Sequence, residues 1–65
     1  MQILLNGKRY ATEARNLDEL CAGLGFADAR IATAMNGSFV AASERKGTPL
    51  IEAAEVEIVA PRQGG

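Results

Sequence analysis

The sequence predicts an α+β domain in which one mixed sheet of about five short strands carries one main helix across one face. Three observations predict it. Two Asn-Gly dipeptides, Asn6-Gly7 and Asn36-Gly37, each stand between short apolar segments, and this dipeptide favours the two-residue hairpin turn because both positions accept φ > 0. One stretch between the hairpins changes to a helical period. The final apolar segment alternates, as a strand with two unlike faces does.

The elements follow in order. "QILLNGKRYAT" places strands near Gln2–Leu5 and Lys8–Thr12 around the first turn. In "NLDELCAGLG", Leu17, Leu20, Cys21 and Leu24 fall at i, i+3, i+4 and i+7, the apolar stripe of a helix. Asn16 is placed to cap its first turn, with Glu19 reaching back, and Gly25 to end it. "RIATAMNGSFVA" repeats the hairpin signal. Ser43 to Pro49 is polar, and Gly47 and Pro49 oppose regular structure there. Leu50 and Ile51 are expected to pin this connection to the core. In "EVEIVA", Val56 and Ile58 alternate with Glu57 and Val59, and Pro61, which has no N–H to give a ladder, ends the strand. The expected organisation is a domain over residues 1–60 and a flexible tail over residues 61–65. Periodicity alone leaves the pairing of the first and last strands open.

Composition narrows the function. A chain of 65 residues has room for one core, buries only about 60% of the surface of its unfolded form, and cannot also enclose a large substrate cavity. Seven basic and eight acidic residues nearly cancel and are spread along the chain, whereas nucleic-acid binding calls for a positive face. No apolar run approaches the roughly 18 residues of a membrane span, and the first residues do not read as a signal peptide, so a cytoplasmic location is expected. One cysteine and no histidine exclude an internal disulfide and a cysteine-based zinc site, and remove the commonest general base near neutral pH. No cofactor is expected to be bound.

The residues that remain to be explained are the last. "APRQGG" ends in Gly64-Gly65, which strips both Cβ atoms from beside the final carboxylate. The bland alternative is a loose terminus of no consequence. The chemical alternative is that the carboxylate reacts. A carboxylate resists nucleophilic attack until it is activated, and adenylation does this with ATP. The glycines here lack the G-x-x-x-x-G-K-S/T phosphate loop, and no acidic cluster suggests a magnesium site. ATP would therefore be handled by a partner, with the tail as the reactant. From Ala60 to Gly65 an extended tail spans at most about 20 Å, at roughly 3.3–3.6 Å per residue, and glycines fit a narrow slot that a Cβ would block.

Taken together these residues resemble the ThiS sulfur-carrier proteins of thiamin thiazole synthesis. The similarity runs through Asn6-Gly7, Leu17 and Leu20, "AMNG" at Ala34–Gly37, Val40, Thr48-x-Leu50, "VEIV" at Val56–Val59 and the terminal Gly64-Gly65. It implies a ubiquitin-like β-grasp fold, with the first and last strands as central parallel neighbours. It also implies a function: an E1-like adenylating enzyme of the ThiF type activates Gly65, and a donor of the cysteine desulfurase type supplies sulfur. Sulfur then displaces AMP, and the resulting thiocarboxylate serves a thiazole synthase of the ThiG type. Arg62, Gln63 and Gly64 would be the tail residues recognised, and the chain would be a substrate with no catalytic site of its own.

The sequence departs from the family at three places. Pro-Arg after the fourth strand is Ala41-Ala42, the Trp that follows is Arg45, and Gly-Asp before the last strand is Ala53-Ala54. These bear on partner contacts and on one turn: if that turn needed φ > 0, alanine would be poor, so a different turn is expected. Other readings of the same chain are the small subunit of molybdopterin synthase, a ubiquitin-like modifier joined to lysines, and a passive β-grasp interaction module.

Several residues have a plain structural explanation. Cys21 lies on the apolar stripe and is expected in the core. Asp18 and Glu19 complement the helix dipole, while Glu55 and Glu57 line a solvated strand face. Arg45-Lys46 is expected to be a solvated loop, with contact to an acidic partner as the alternative. Phe39 and Val59 are expected to pack in the core or sheet. If exposed beside the tail, they become candidates for a docking surface.

Overall fold

The structure, a computed structural model, describes residues 1–26 and 30–60. The strands are β1 (Gln2–Leu5), β2 (Lys8–Ala11), β3 (Ala32–Met35), β4 (Ser38–Val40) and β5 (Glu55–Val59), with the helix α1 (Leu17–Gly23) between the hairpins. They form one sheet in the order β2-β1-β5-β3-β4. β5, the last strand in sequence, lies at the centre, parallel to β1 and antiparallel to β3. The order of elements and the central parallel pair are those expected of a β-grasp domain.

Both Asn-Gly turns have the backbone that dipeptide favours, with φ of 51° and 84° at Asn6 and Gly7 and of 50° and 85° at Asn36 and Gly37. The helix is capped at both ends. Asn16 Oδ1 accepts the Glu19 N–H at 2.8 Å, and the Glu19 carboxylate accepts the N–H of Arg15, one residue before the cap, at 2.8 Å. At the other end Gly25 takes φ of 90°. The Phe26 N–H then reaches Cys21 O at 2.9 Å and the Gly25 N–H reaches Ala22 O at 3.1 Å, the paired bonds of a Schellman ending.

The core lies between this helix and one face of the sheet. Alternation in β5 turns Val56 and Ile58 inward, where they meet Ile3 of β1 and Leu17, Leu20 and Cys21 of the helix. Cutting a fully buried leucine such as Leu20 to alanine would cost about 2–5 kcal/mol. The inward polar residue Thr33 is satisfied, its Oγ1 donating to Val40 O at 2.7 Å.

Four expectations require correction. Leu50 is buried but Ile51 is 56% exposed, so Leu50 alone pins the connection; its N–H bonds Arg15 O at 2.9 Å. Within the connection, Ala42–Glu44 forms a 3₁₀ turn rather than irregular chain. Arg45 is not a solvated loop residue. It is half-buried, with Nε donating to Thr33 Oγ1 at 3.1 Å and Nη2 to Ile31 O at 2.8 Å, so its guanidinium ties the connection to the start of β3. The turn before β5 keeps a left-handed residue although it has no glycine: Ala53 has φ of 67°. Two neighbouring bonds hold it there, from the Ala53 N–H to Gln2 O at 2.8 Å and from the Ala54 N–H to Ile51 O at 3.1 Å.

Candidate functional site at the end of the central strand

Arg62, Gln63, Gly64 and Gly65, the residues to which sequence assigns the chemistry, lie outside the described residues, as does the expected mobility of residues 61–65. What the structure places is the strand that leads to them. β5 ends at Val59, and Ala60 follows, exposed.

The end of β5 is held from both sides. On one side Val59 is in register with Ala32 and Ile58 with Thr33. On the other, β1 stops at Leu5, in register with Val56, and the chain turns away at Asn6-Gly7. The Asn6 N–H still reaches Val56 O at 2.8 Å. Its carboxamide then takes both polar groups of Ile58: the Ile58 N–H donates to Asn6 Oδ1 at 2.9 Å, and Asn6 Nδ2 donates to Ile58 O at 3.2 Å. One side chain thus continues the parallel ladder where the backbone has left it.

No element of the described residues covers the face of the sheet away from the helix. Across it run Phe39, Ala34 and Glu57 in one register row and Ala32 and Val59 in the next. Phe39 is 71% exposed and Val59 63%, so the expectation of core or sheet packing fails for both; Val59 is exposed at the root of the tail, whereas Phe39 is exposed two strands away, on the edge strand β4. The cause is topological: the single helix covers one face only. Glu55 and Glu57 are exposed on the same open face, as expected.

The remaining candidates are structural. Cys21 is buried, and burial pushes its thiol pKa up, against the pull of the Arg45 guanidinium and with a small push from Asp18. It stays protonated and unreactive near neutral pH. No group of three or more His, Cys, Asp or Glu among the described residues could hold a metal. Two shallow clefts on the sheet, one bounded by Arg9 and Glu52 and one by Gly7, Glu55 and Glu57, measure about 230 Å³ each, below the roughly 300–1,000 Å³ of small-molecule sites. No helix of the described residues is long and apolar enough to cross a membrane.

Sequence reasoning took both Asn-Gly pairs as turns and missed what the asparagine side chains do. Asn36 also docks on β5, its backbone N–H donating to Glu55 O at 2.7 Å and its Oδ1 accepting the Glu55 N–H at 2.9 Å. The available signal was the choice of asparagine at both turns, where glycine or aspartate would also turn the chain.

Comparison with known proteins places this architecture. The model of the ThiS family matches residues 3–65. Among solved structures, the crystal structure of the thiamine biosynthesis protein (ThiS) from Geobacter metallireducens is similar, with a TM-score of 0.82 and 25% identity over 100% of both chains. No curated protein sequence matches significantly.

Proposed function

The chain belongs to the ThiS family, and on that premise we propose that it is the sulfur carrier of thiazole formation in thiamin biosynthesis. The observation that carries the reading is the family match, which runs through residue 65 and so takes in the Gly64-Gly65 end. The Gly65 carboxylate attacks the α-phosphate of ATP in an E1-like enzyme of the ThiF type, and pyrophosphate leaves. The terminal sulfur of a persulfide on a cysteine desulfurase-type donor then displaces AMP at the carbonyl carbon. A thiol reduces the acyl disulfide so formed, its own sulfur leaving in a disulfide with the donor's. The thiocarboxylate that results delivers its sulfur to a ThiG-type thiazole synthase.

The body of the protein has a recognition role in this scheme. Val59 lies on the open face at the start of the tail and Phe39 lies on the same face two strands away, where a partner that takes the tail also meets the sheet. Arg62, Gln63 and Gly64 guide the terminus into the slot, and glycine leaves the reacting carbonyl free of a neighbouring Cβ. ATP stays with the partner and the carrier binds no cofactor of its own. The chain acts as a substrate, not an enzyme, and works in the cytoplasm.

Intact-mass measurement on protein isolated from cells tests the proposal. A fraction heavier by the exchange of one oxygen for one sulfur, located to Gly65 by fragmentation, is expected. Its absence from cells actively making thiamin would reject the carrier reading.

A further inference from the structure

We propose that Asn6 is a positioning residue for the tail: its carboxamide sets how the chain leaves β5. The inference rests on the carrier reading above and deepens it. Three features of the strand end carry it. Residues 56 and 58 turn their backbone polar groups toward β1, and β1 runs out at Leu5. Asn6 therefore supplies the only partners, among the described residues, for both the N–H and the C=O of Ile58 on that side. Val59, the next residue, is fixed on its other flank by Ala32, and the exposed Ala60 leads directly to residues 61–65.

A partner that grips the open face fixes the body, and the carboxylate must then be brought to a slot about one tail length away. Freeing Ile58 lets the strand end fray back, which moves the root of the tail. It also adds freely rotating residues whose order must be restored when the terminus is captured. The loss falls after docking, so it belongs to turnover rather than to affinity. Small displacements of a reacting group are enough to cost large factors in rate.

Asn36 provides the matched control. It has the same dipeptide, the same left-handed backbone and a comparable side-chain bond, but it acts on Glu55, at the opposite end of β5. Asn6→Gly and Asn36→Gly each delete a carboxamide while keeping a residue at ease with φ > 0. The assay is ATP–pyrophosphate exchange with a ThiF-type enzyme, beside amide hydrogen exchange on the isolated protein. Asn6→Gly is expected to lower kcat about tenfold with KM within about twofold, and to speed amide exchange at Ile58. Asn36→Gly is expected to keep both kinetic constants and to speed exchange at Glu55. If Asn6→Gly is poorly folded, the pair is compared in an Ala53→Gly background, which relieves the backbone strain before β5. Equal kcat for the two variants, or unchanged exchange at Ile58 in Asn6→Gly, overturns the inference while an active parent leaves the carrier reading standing. A parent inert in the exchange assay overturns both.

Discussion

The two Asn-Gly turns are alike in sequence and in backbone, and they do opposite things to the same strand. The first belongs to a hairpin whose inner strand, β1, runs parallel to β5; the second belongs to one whose inner strand, β3, runs antiparallel. Each turn follows its inner strand. The first is therefore delivered to the C-terminal end of β5, where Asn6 grips Ile58, and the second to the N-terminal end, where Asn36 grips Glu55. The chemistry differs as well. Asn6 uses both its acceptor and its donor, whereas Asn36 uses its acceptor, with no partner for Nδ2 among the described residues. Strand direction, which no local motif encodes, decides which copy stands beside the end of β5 that leads to residues 61–65.

The largest expected effect asks whether that end is the working one. Adding one residue after Gly65 should abolish adenylation, because the activated carbon would become an unreactive amide. Deleting Gly65 should be nearly as damaging, since the carboxylate then stops about 3.5 Å short. Gly64→Ala should fall between the two. All three should unfold like the parent in a thermal melt. Parent-level exchange from the extended protein, without trimming, would leave both ends of β5 equal in function.

Aspartate separates the turns by stability. At position 6 it replaces the Nδ2 donor by an oxygen facing Ile58 O, and should cost about 1–3 kcal/mol. At position 36 it keeps the acceptor that Glu55 uses, and the cost should stay within about 0.5 kcal/mol. Urea unfolding of the two variants measures the difference; equal losses would mean that the Asn6 donor contributes nothing.

A smaller effect should come from Ala53, just before the Asn36 end of β5. A left-handed alanine costs about 1–2 kcal/mol, and glycine gives back part of that through its looser unfolded chain. Ala53→Gly should therefore stabilise by about 1 kcal/mol. A loss in the same urea assay would show that the backbone there is at ease.

Cys21 lies away from both turns and should respond to neither comparison. Cys21→Ser should leave sulfur loading at Gly65 intact, at about 1 kcal/mol of stability. Burial raises the thiol pKa in the folded state, so the native protein holds this proton more tightly than the unfolded chain. The contribution is full below the unfolded value of about 8.5 and is lost as pH rises from there through the folded value. Cys21→Ala should lack this alkaline decline.

Local signals sufficed for every strand and for the helix, because each rests on a short-range rule: Asn-Gly for the turns, a stripe at i, i+3, i+4 and i+7 for α1, alternation for β5. The buried place of Cys21 followed from the same stripe. What escaped was long-range. Phe39 reads as apolar strand in sequence and is exposed because no element of the described residues covers its face. Arg45 reads as a loop charge and is half-buried because Thr33 and Ile31 O, from another element, meet it. Ala53 keeps a conformation that alanine disfavours because bonds to Gln2 and Ile51 hold it. Of the site itself, Arg62 to Gly65 were legible only as chemistry, and the grip of Asn6 on Ile58 was not legible at all.

The central place of β5 also governs how the chain assembles. Asn6 and Ile58 are 52 residues apart, and the strand that joins the two hairpins is made after both of them. Each hairpin alone is a two-stranded ribbon, marginal in water, with its inner edge waiting for β5. Such distant pairing is slow compared with the folding of helical chains of this size. The nascent chain must therefore pass through a stage with two open edges, and it becomes a folded body only when Glu55–Val59 has cleared the ribosome. The strand that completes the sheet is the one that leads to the tail, so the surface beside the tail exists only once β5 has paired with both hairpins.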